Sequence, residues 1–293
     1  MKRETKKGIL AFFASVVLPF ATLFYFAIKG SDLYGLSDSI SYSIVSVVIL
    51  QAVLIGLGGT SHFLAMRSTF SLLLRYPEFL IVHFDSNLMN SILFPKSGSA
   101  YKIVALSRIG VPVKFSTGTM LGVSLLGSVI AVFACMFSLP FIFSATGLRD
   151  AGLGGIFESA LGSVVLISLI SVALYRFQRE IFFSLSAGVF RVSVVFCILL
   201  ALVVGVLKTW FLVNNFLYFG FIESVSLYSV IALSGLISVT PGGVGVREGV
   251  YVATLVTLGV DLELATIVSL VDRFVVTGVA LLLPMMRVAY FQR

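Results

Sequence analysis

Charged residues are scarce in this sequence. Only 11% of the 293 residues are Asp, Glu, Lys or Arg, whereas 59% are hydrophobic, and soluble domains carry about 25% charged residues. A soluble fold of this length has too little interior to hide so much apolar surface. The composition therefore excludes a soluble protein and predicts an integral membrane protein. Helices are expected, because open strands leave backbone groups unpaired in lipid and the alternation typical of a membrane barrel is absent.

Cysteine and histidine are also rare, with two residues of each. Cys135 and Cys197 lie in separate apolar runs, which is typical of small core residues and not of a disulfide framework. With only His62 and His83 beside them, a metal-ligand set is not expected, and no cofactor is predicted. Neither HExxH nor GxSxG occurs, which argues against common hydrolases. A pH-linked relay through the histidines stays open beside the simpler interpretation as interfacial residues.

The net charge of the chain is +7. In a membrane protein, Lys and Arg mark cytoplasmic loops and contact anionic lipid, so no nucleic-acid partner is expected. With the N-terminus in the cytoplasm, most loop cations fall on the cytoplasmic side. Lys102 is counted there, and Lys208 is assigned to an outer loop. The pattern predicts a multi-pass protein of the inner (cytoplasmic) cell membrane with both termini in the cytoplasm.

Long apolar runs predict the fold class, because about 20 such residues cross a bilayer as a helix. Six full spans are predicted, at 9–28, 40–66, 117–143, 153–175, 183–207 and 265–286. Two shorter apolar stretches, 69–84 and 211–239, lie beside loop-like segments and are predicted to enter the membrane and return on the same side. The prediction is an all-α polytopic helix bundle in which residues 1–293 form one transmembrane domain with two re-entrant or broken-helix segments.

The chain also resembles itself when its first half is shifted by about 147 residues. "FPKSGSAYKIVALSRIGVP" then aligns near "TPGGVGVREGVYVATLVTLGVD", and both stretches begin at a proline and end at a Gly-Val pair. The prediction is a first repeat, 1–146, and a second repeat, 147–293. Three full spans in each half would invert the second repeat relative to the first. Inverted repeats with interrupted helices are typical of transporters.

The second Pro-Gly segment combines helix-breaking and charged residues. Proline removes a backbone donor, and glycine permits conformations closed to other residues, so the helix is predicted to break there. A helix restarting after the break offers free N–H groups, and the adjacent arginine adds a positive charge, which together suit a phosphate or other anion. An ordinary extracellular turn remains the alternative. The predicted site residues are Pro241, Gly242, Gly243, Gly245, Arg247 and Glu248.

Ionisable residues within the predicted spans are further candidates, because charges inside a membrane face partners or cavities. Asp272 and Arg273 are adjacent on one helix and point about 100° apart, so each requires a partner elsewhere. Arg273 is predicted to face a cavity and to neutralise a lipid phosphate. Asp272 is predicted to support a cation such as Arg191 or Arg247. Structural ion pairs that lock helices together are the alternative interpretation.

These motifs resemble a known family. "TPGGVGVREG", followed by "LVTLGVD" and a span containing "VDRF", is similar to the signature of the lysylphosphatidylglycerol synthase/flippase transmembrane family. "SNLMNSILFPKSGSAYKIVALSR" resembles the family's first-half motif, which adds Asn87, Pro95, Ser97 and Gly98 to the substrate-binding candidates. The resemblance implies movement of lipids with charged or glycosylated headgroups between leaflets. The chain ends at Arg293, so the aminoacyl-transfer activity of the longer family members is not expected. The prediction for the protein is a transporter and not an enzyme.

The function predicted from these observations is transport of an anionic or glycosylated phospholipid, or of a polyprenyl-phosphate lipid, between membrane leaflets. One alternative is a membrane glycosyl- or phosphotransferase that uses a polyprenyl-phosphate donor, with Asp32 and Asp38 as a base or as metal ligands. Another is a non-catalytic partner of a glycolipid enzyme. Homo-oligomerisation and association with a lipid- or glycan-synthesis enzyme stay open.

Overall fold

The computed structural model describes residues 39–69, 75–92, 97–145, 191–237 and 245–291. Within these ranges the chain forms eight α-helices and no β-strand, as the sequence predicts. The helices are α1 (Ser39–Thr69), α2 (Tyr76–Ile92), α3 (Ser97–Arg108), α4 (Val113–Ala145), α5 (Val192–Asn214), α6 (Phe221–Ile237), α7 (Val246–Thr257) and α8 (Leu262–Phe291).

Four of these helices are long and apolar enough to cross a membrane. Their candidate spans are Ile44–Arg67, Val113–Ser138, Val192–Asn214 and Leu262–Met285. They match the runs predicted at 40–66, 117–143, 183–207 and 265–286, although α5 continues to Asn214. The spans predicted at 9–28 and 153–175 lie outside the described residues, so the total of six remains a prediction.

The shorter helices differ from the predicted layout. The stretch from residue 85 to 114 is loop-like in sequence, yet most of it belongs to α2 and α3. The stretch 211–239 is divided by a turn between α5 and α6. Asn214 closes this turn, because its amide accepts a hydrogen bond from the backbone N–H of Phe219 at 3.1 Å and donates to the Phe219 carbonyl at 3.0 Å. A side-chain clamp of this kind has no hydropathy signal, so the apolar composition of 211–239 alone does not show that the stretch is divided.

The connection from α3 to α4 has the same geometry as the connection from α7 to α8. Gly110 has φ +90° and Gly259, which lies 149 positions later, has φ +85°. In both turns the glycine N–H donates to the carbonyl three residues earlier, and the next N–H, from Val111 or Val260, donates to the carbonyl five residues earlier. This is the Schellman ending, in which glycine adopts the left-handed conformation.

Helix packing is reciprocal between the two halves. α1 packs along α5, whereas α2 packs on α8 and α6 packs on α4. The larger described core joins α1, α5, α6, α7 and α8 through residues such as Leu227, Leu255 and Val268. A smaller core joins α1, α2, α3 and α4. Large apolar side chains on α4 and α5, including Phe137 and Val192, are exposed. They form the surface that a lipid bilayer would cover. The orientation of one half relative to the membrane is not fixed by this packing, and the inverted repeat stays a prediction.

Candidate functional site

Asp272 on α8 is the centre of a buried charged cluster. Its Oδ1 atom lies 2.6 Å from the Lys208 Nζ atom of α5, and both side chains are only 2% exposed. Its Oδ2 atom lies 2.8 Å from a terminal guanidinium nitrogen of Arg247, at the start of α7. The Lys208 ammonium also donates to Gln51 Oε1 on α1 at 3.1 Å. One carboxylate therefore joins α5, α7 and α8, and Lys208 connects them to the first half of the chain.

A second ion pair lies beside the first. The Arg273 Nε atom is 3.4 Å from Glu248 Oε1. The other Glu248 oxygen accepts a hydrogen bond of 2.6 Å from the backbone N–H of Gly245. Gly245 precedes α7 with φ +85°, a left-handed conformation that favours glycine. Glu248 therefore fixes the start of α7 and pairs with Arg273, whereas Arg247 pairs with Asp272.

The cluster combines three cations with two anions. Lys208, Arg247 and Arg273 face Asp272 and Glu248, so the fully ionised group has an excess of one positive charge. Arg273 is 4% exposed, whereas the Arg247 side chain is 27% exposed. Arg247 is therefore the cation through which an outside anion has access to the cluster.

Two tyrosines complete the surroundings of Asp272 and Arg247. Tyr228 on α6 and Tyr251 on α7 both interact electrostatically with this pair. The Tyr251 side chain is 1% exposed, and its hydroxyl has no hydrogen-bond partner among the described residues. A buried hydroxyl without a partner costs about 1–3 kcal/mol. The vicinity of the cluster therefore has a donor available to a polar ligand or a water molecule.

A cavity of about 320 Å³ lies between the halves, bounded by α1, α4, α5 and α6. Its wall is mainly apolar, with polar groups from Ser61, His62, Ser124, Ser128 and Tyr228. Arg247 and Arg273 do not line it, and the prediction that Arg273 binds a lipid phosphate stays a prediction. The Arg273 guanidinium is held against Glu248. Tyr228 is the residue that borders both the cavity and the surroundings of Arg247 and Asp272.

The break in the first half is held by short polar contacts. The Asn90 side chain accepts a hydrogen bond of 2.9 Å from the Gly98 N–H, and the Ser97 hydroxyl donates to the Met89 carbonyl at 2.9 Å. A Cβ atom on Gly98 would overlap the Ser86 carbonyl oxygen, so only glycine permits this close approach. Asn87 instead donates to the His83 carbonyl of its own helix. Asn90 is therefore the asparagine that joins α2 to α3.

Several predicted site residues do not meet in one place. Gly245, Arg247, Glu248, Asp272 and Arg273 gather at the cluster, while Asn87, Ser97 and Gly98 lie at the first-half break. The predictions for Pro95, Pro241, Gly242 and Gly243 lie outside the described residues.

Asp272 does support Arg247, as predicted. Its predicted alternative partner, Arg191, does not contact it: Arg191 immediately precedes α5, in extended conformation and exposed. Arg191 is thus placed at a helix end and not inside a span.

Sequence reasoning missed two buried lysines. Lys208 was assigned to an outer loop, but α5 continues past it and buries it against Asp272. Lys102 was counted with the cytoplasmic loops, but it is 3% exposed and donates to His83 Nδ1 at 2.8 Å. The available signal was weak: each lysine is flanked by apolar residues, in "GVLKTWFLV" and "AYKIVAL".

Long apolar helices around buried charges define the chain as an α-helical integral membrane protein. Comparison with protein families gives a match to the family described as Lysylphosphatidylglycerol synthase TM region, over residues 9–283. The chain belongs to this family. No curated protein matches it, and no solved structure matches it.

Proposed function

We infer that this protein moves a membrane lipid with an anionic headgroup, a phospholipid or a polyprenyl-phosphate lipid, between the leaflets of the cytoplasmic membrane without changing it chemically. The observation that carries this inference is the buried cluster around Asp272, with its excess positive charge and its partly exposed Arg247. Charged residues inside a membrane are costly and are typical of substrate pathways.

The geometry at Arg247 suits a phosphate group. A guanidinium has five donors, and Asp272 engages one of its terminal nitrogens. The start of α7 adds backbone N–H groups and the positive end of the helix dipole. An incoming phosphate would compete with Asp272 for Arg247, while Lys208 would keep Asp272 neutralised. Binding therefore leaves no buried carboxylate without a partner, which lowers the cost of loading and releasing the headgroup.

The repeated elements support a transport mechanism. Corresponding turns at Gly110 and Gly259 and the reciprocal packing of the halves fit two repeats of the same design. In transporters built this way, the site lies where the repeats meet and broken helices present their ends to the substrate. The cavity between the halves, with Tyr228 beside the cluster, gives the lipid a place to enter. The transferase alternative depends on Asp32 and Asp38, which lie outside the described residues, and no described feature favours it.

The experiment is lipid exchange in proteoliposomes. Purified protein is reconstituted with a fluorescent phosphatidylglycerol or, in a parallel arm, fluorescent phosphatidylcholine, and dithionite quenching reports the outer-leaflet fraction over time. Wild-type protein should accelerate exchange of the anionic lipid more than that of the zwitterionic one. Arg247→Gln should slow the anionic exchange by on the order of tenfold, because a charge-assisted hydrogen bond contributes roughly 1.5–3 kcal/mol.

The matched control is Arg108→Gln, the same change at an exposed residue that ends α3. It should leave the exchange rate unchanged. Equal rates for wild type, Arg247→Gln and protein-free vesicles would refute lipid movement. A competing polyprenyl phosphate that slows exchange of the labelled phospholipid would indicate that the same site accepts both lipid classes.

A further inference from the structure

A second buried polar group lies in the first half, away from the charged cluster. Lys102 on α3 donates to His83 Nδ1 on α2 at 2.8 Å, and His83 Nε2 lies 3.1 Å from the Ile55 carbonyl of α1. A carbonyl only accepts hydrogen bonds, so Nε2 carries the ring proton and Nδ1 is the acceptor for Lys102. The two contacts therefore define the tautomer of His83.

The helices are shaped to admit this group. A Cβ atom on Gly59 would come within 2.9 Å of the His83 ring, so the glycine in α1 makes room for the imidazole. The Lys102 ammonium also lies 4.8 Å from the centre of the Phe79 ring. Among the described residues, no carboxylate lies within ion-pair distance of Lys102. A buried ammonium without a carboxylate is held by weak partners only, and it loses its proton more easily than one in water.

His62 connects this group to the cavity between the halves. Its ring centre is 5.8 Å from that of His83, and the ring lines the cavity wall. Its Nδ1 atom lies 2.7 Å from the Gly58 carbonyl and must donate to it, which leaves Nε2 as an acceptor. Nothing in the described part of the chain hydrogen-bonds to that nitrogen. Lys102, His83 and His62 thus form a row from the interior of the first half to the cavity.

The electrostatic surroundings of the row are simple. His83 is influenced by Lys102 and His62, and His62 by Lys102. On the neighbouring helices, Asp85 of α2 accepts a hydrogen bond from Tyr101 of α3, and Ser124 and Ser128 of α4 line the cavity.

The buried charged residues of the second half belong to the other cluster. α8 packs on α2, but its Asp272 and Arg273 pair with Arg247, Lys208 and Glu248. α5 packs on α1, where Lys208 contacts Gln51. Burial lowers the pKa of Lys102 from the usual lysine value to about 7. Burial, and then the charge of Lys102, lower the pKa of His83, so its ring is neutral at pH 7.

We propose that Lys102, His83 and His62 form a proton-binding site which opens on the cavity between the halves, and that proton exchange at this site is coupled to lipid movement. One proton is exchanged. Lys102 Nζ releases it to solvent in the cavity, becomes a neutral amine and regains a proton by the same route, along which His83 and His62 lie. The coupling rests on the function proposed above, whereas the proton site itself does not.

The proton site is tested by NMR on the purified full chain in detergent. The chain has only two histidines, so protein labelled with ¹³C and ¹⁵N at histidine alone gives two imidazole spin systems, which His62→Gln and His83→Gln assign. Titration from pH 5 to pH 9 should shift the His83 signals with a midpoint near pH 7, as Lys102 exchanges its proton. The transition should disappear in Lys102→Met. It should persist in Lys114→Met, the same change at an exposed lysine of α4.

A His83 signal that does not change between pH 5 and pH 9 would overturn the proposal, as would a transition that survives in Lys102→Met. The coupling is tested in proteoliposomes that contain entrapped pyranine, with valinomycin and potassium setting the membrane potential. An imposed pH gradient should change the exchange rate of anionic lipid in wild-type protein by on the order of fivefold. Pyranine should report proton movement only when that lipid is present.

Lys102→Met should remove both responses, and Lys114→Met should behave as wild type. Lipid exchange that ignores the gradient in wild-type protein would overturn the coupling. Absence of any exchange in wild-type vesicles would refute the transport function instead, and the NMR titration alone would then decide the proton site.

Discussion

Replacing Asp272 by asparagine tests how much the ion pairs of the charged cluster contribute to the stability of the protein. The substitution keeps the shape of the side chain and removes the charge that Lys208 and Arg247 share, at 2.6 Å and 2.8 Å. Lys208 is 2% exposed and has no second carboxylate among the described residues. Removing one partner of a buried ion pair lowers the free energy of unfolding by about 3–5 kcal/mol. For a chain of this size, roughly 2 °C per kcal/mol gives a fall in Tm of about 6–10 °C.

The measurement is thermal unfolding in detergent, followed by tryptophan fluorescence. The chain has one tryptophan, Trp210, which lies two residues after Lys208 and donates its indole N–H to the Phe219 carbonyl at 3.1 Å. Its emission therefore reports on the part of α5 that carries the cluster. Glu263→Gln, an exposed position in the first turn of the same helix, is the control for loss of a carboxylate.

A double variant makes the reasoning sharper. Asp272→Asn combined with Lys208→Met removes both members of the most buried pair, and Arg247, which is partly exposed, keeps access to the surface. Most of the lost stability should return, because no buried charge is left without a partner. A Tm of Asp272→Asn within 2 °C of wild type would refute the argument. So would a double variant that is no more stable than the single one.

Two further predictions concern glycines. Gly98→Ala should destabilise the protein by more than 1 kcal/mol or prevent its folding, because the new Cβ overlaps the Ser86 carbonyl, whereas Gly249→Ala, in open space within α7, should be neutral or stabilising in the same thermal assay. Gly110→Ala and Gly259→Ala should each cost roughly 1–2 kcal/mol, because both residues have positive φ; widely different costs would show that the two turns are not equivalent.

Hydropathy was sufficient to predict the long helices, because a bilayer imposes both their length and their apolar composition. The four described spans occur where the apolar runs are. One contact was also predictable from helix geometry alone. Adjacent residues on a helix point in different directions, so Asp272 and Arg273 had to find separate partners, and they do so in Arg247 and Glu248.

The buried lysines were not predictable in the same way. A lysine at the end of an apolar run has the same local sequence whether the helix stops before it or continues past it. Lys208 lies inside because Asn214, six residues later, sets the end of α5, and Asp272, which neutralises it, comes from another part of the chain. Lys102 is inside because Gly98 lets α3 approach α2 closely. Both facts depend on tertiary contacts that composition does not encode.

The hydrogen bond between Lys208 and Gln51 has a mechanical consequence. All residues of the charged cluster lie in the second half of the chain. The hydrogen bond joins them to α1 in the first half, where α1 and α5 pack along each other. A rocking motion of one half against the other would turn about this contact with the least displacement of Lys208. The ends of the long helices would then move farthest, and the axis of the motion would pass close to Lys208 and the charged cluster.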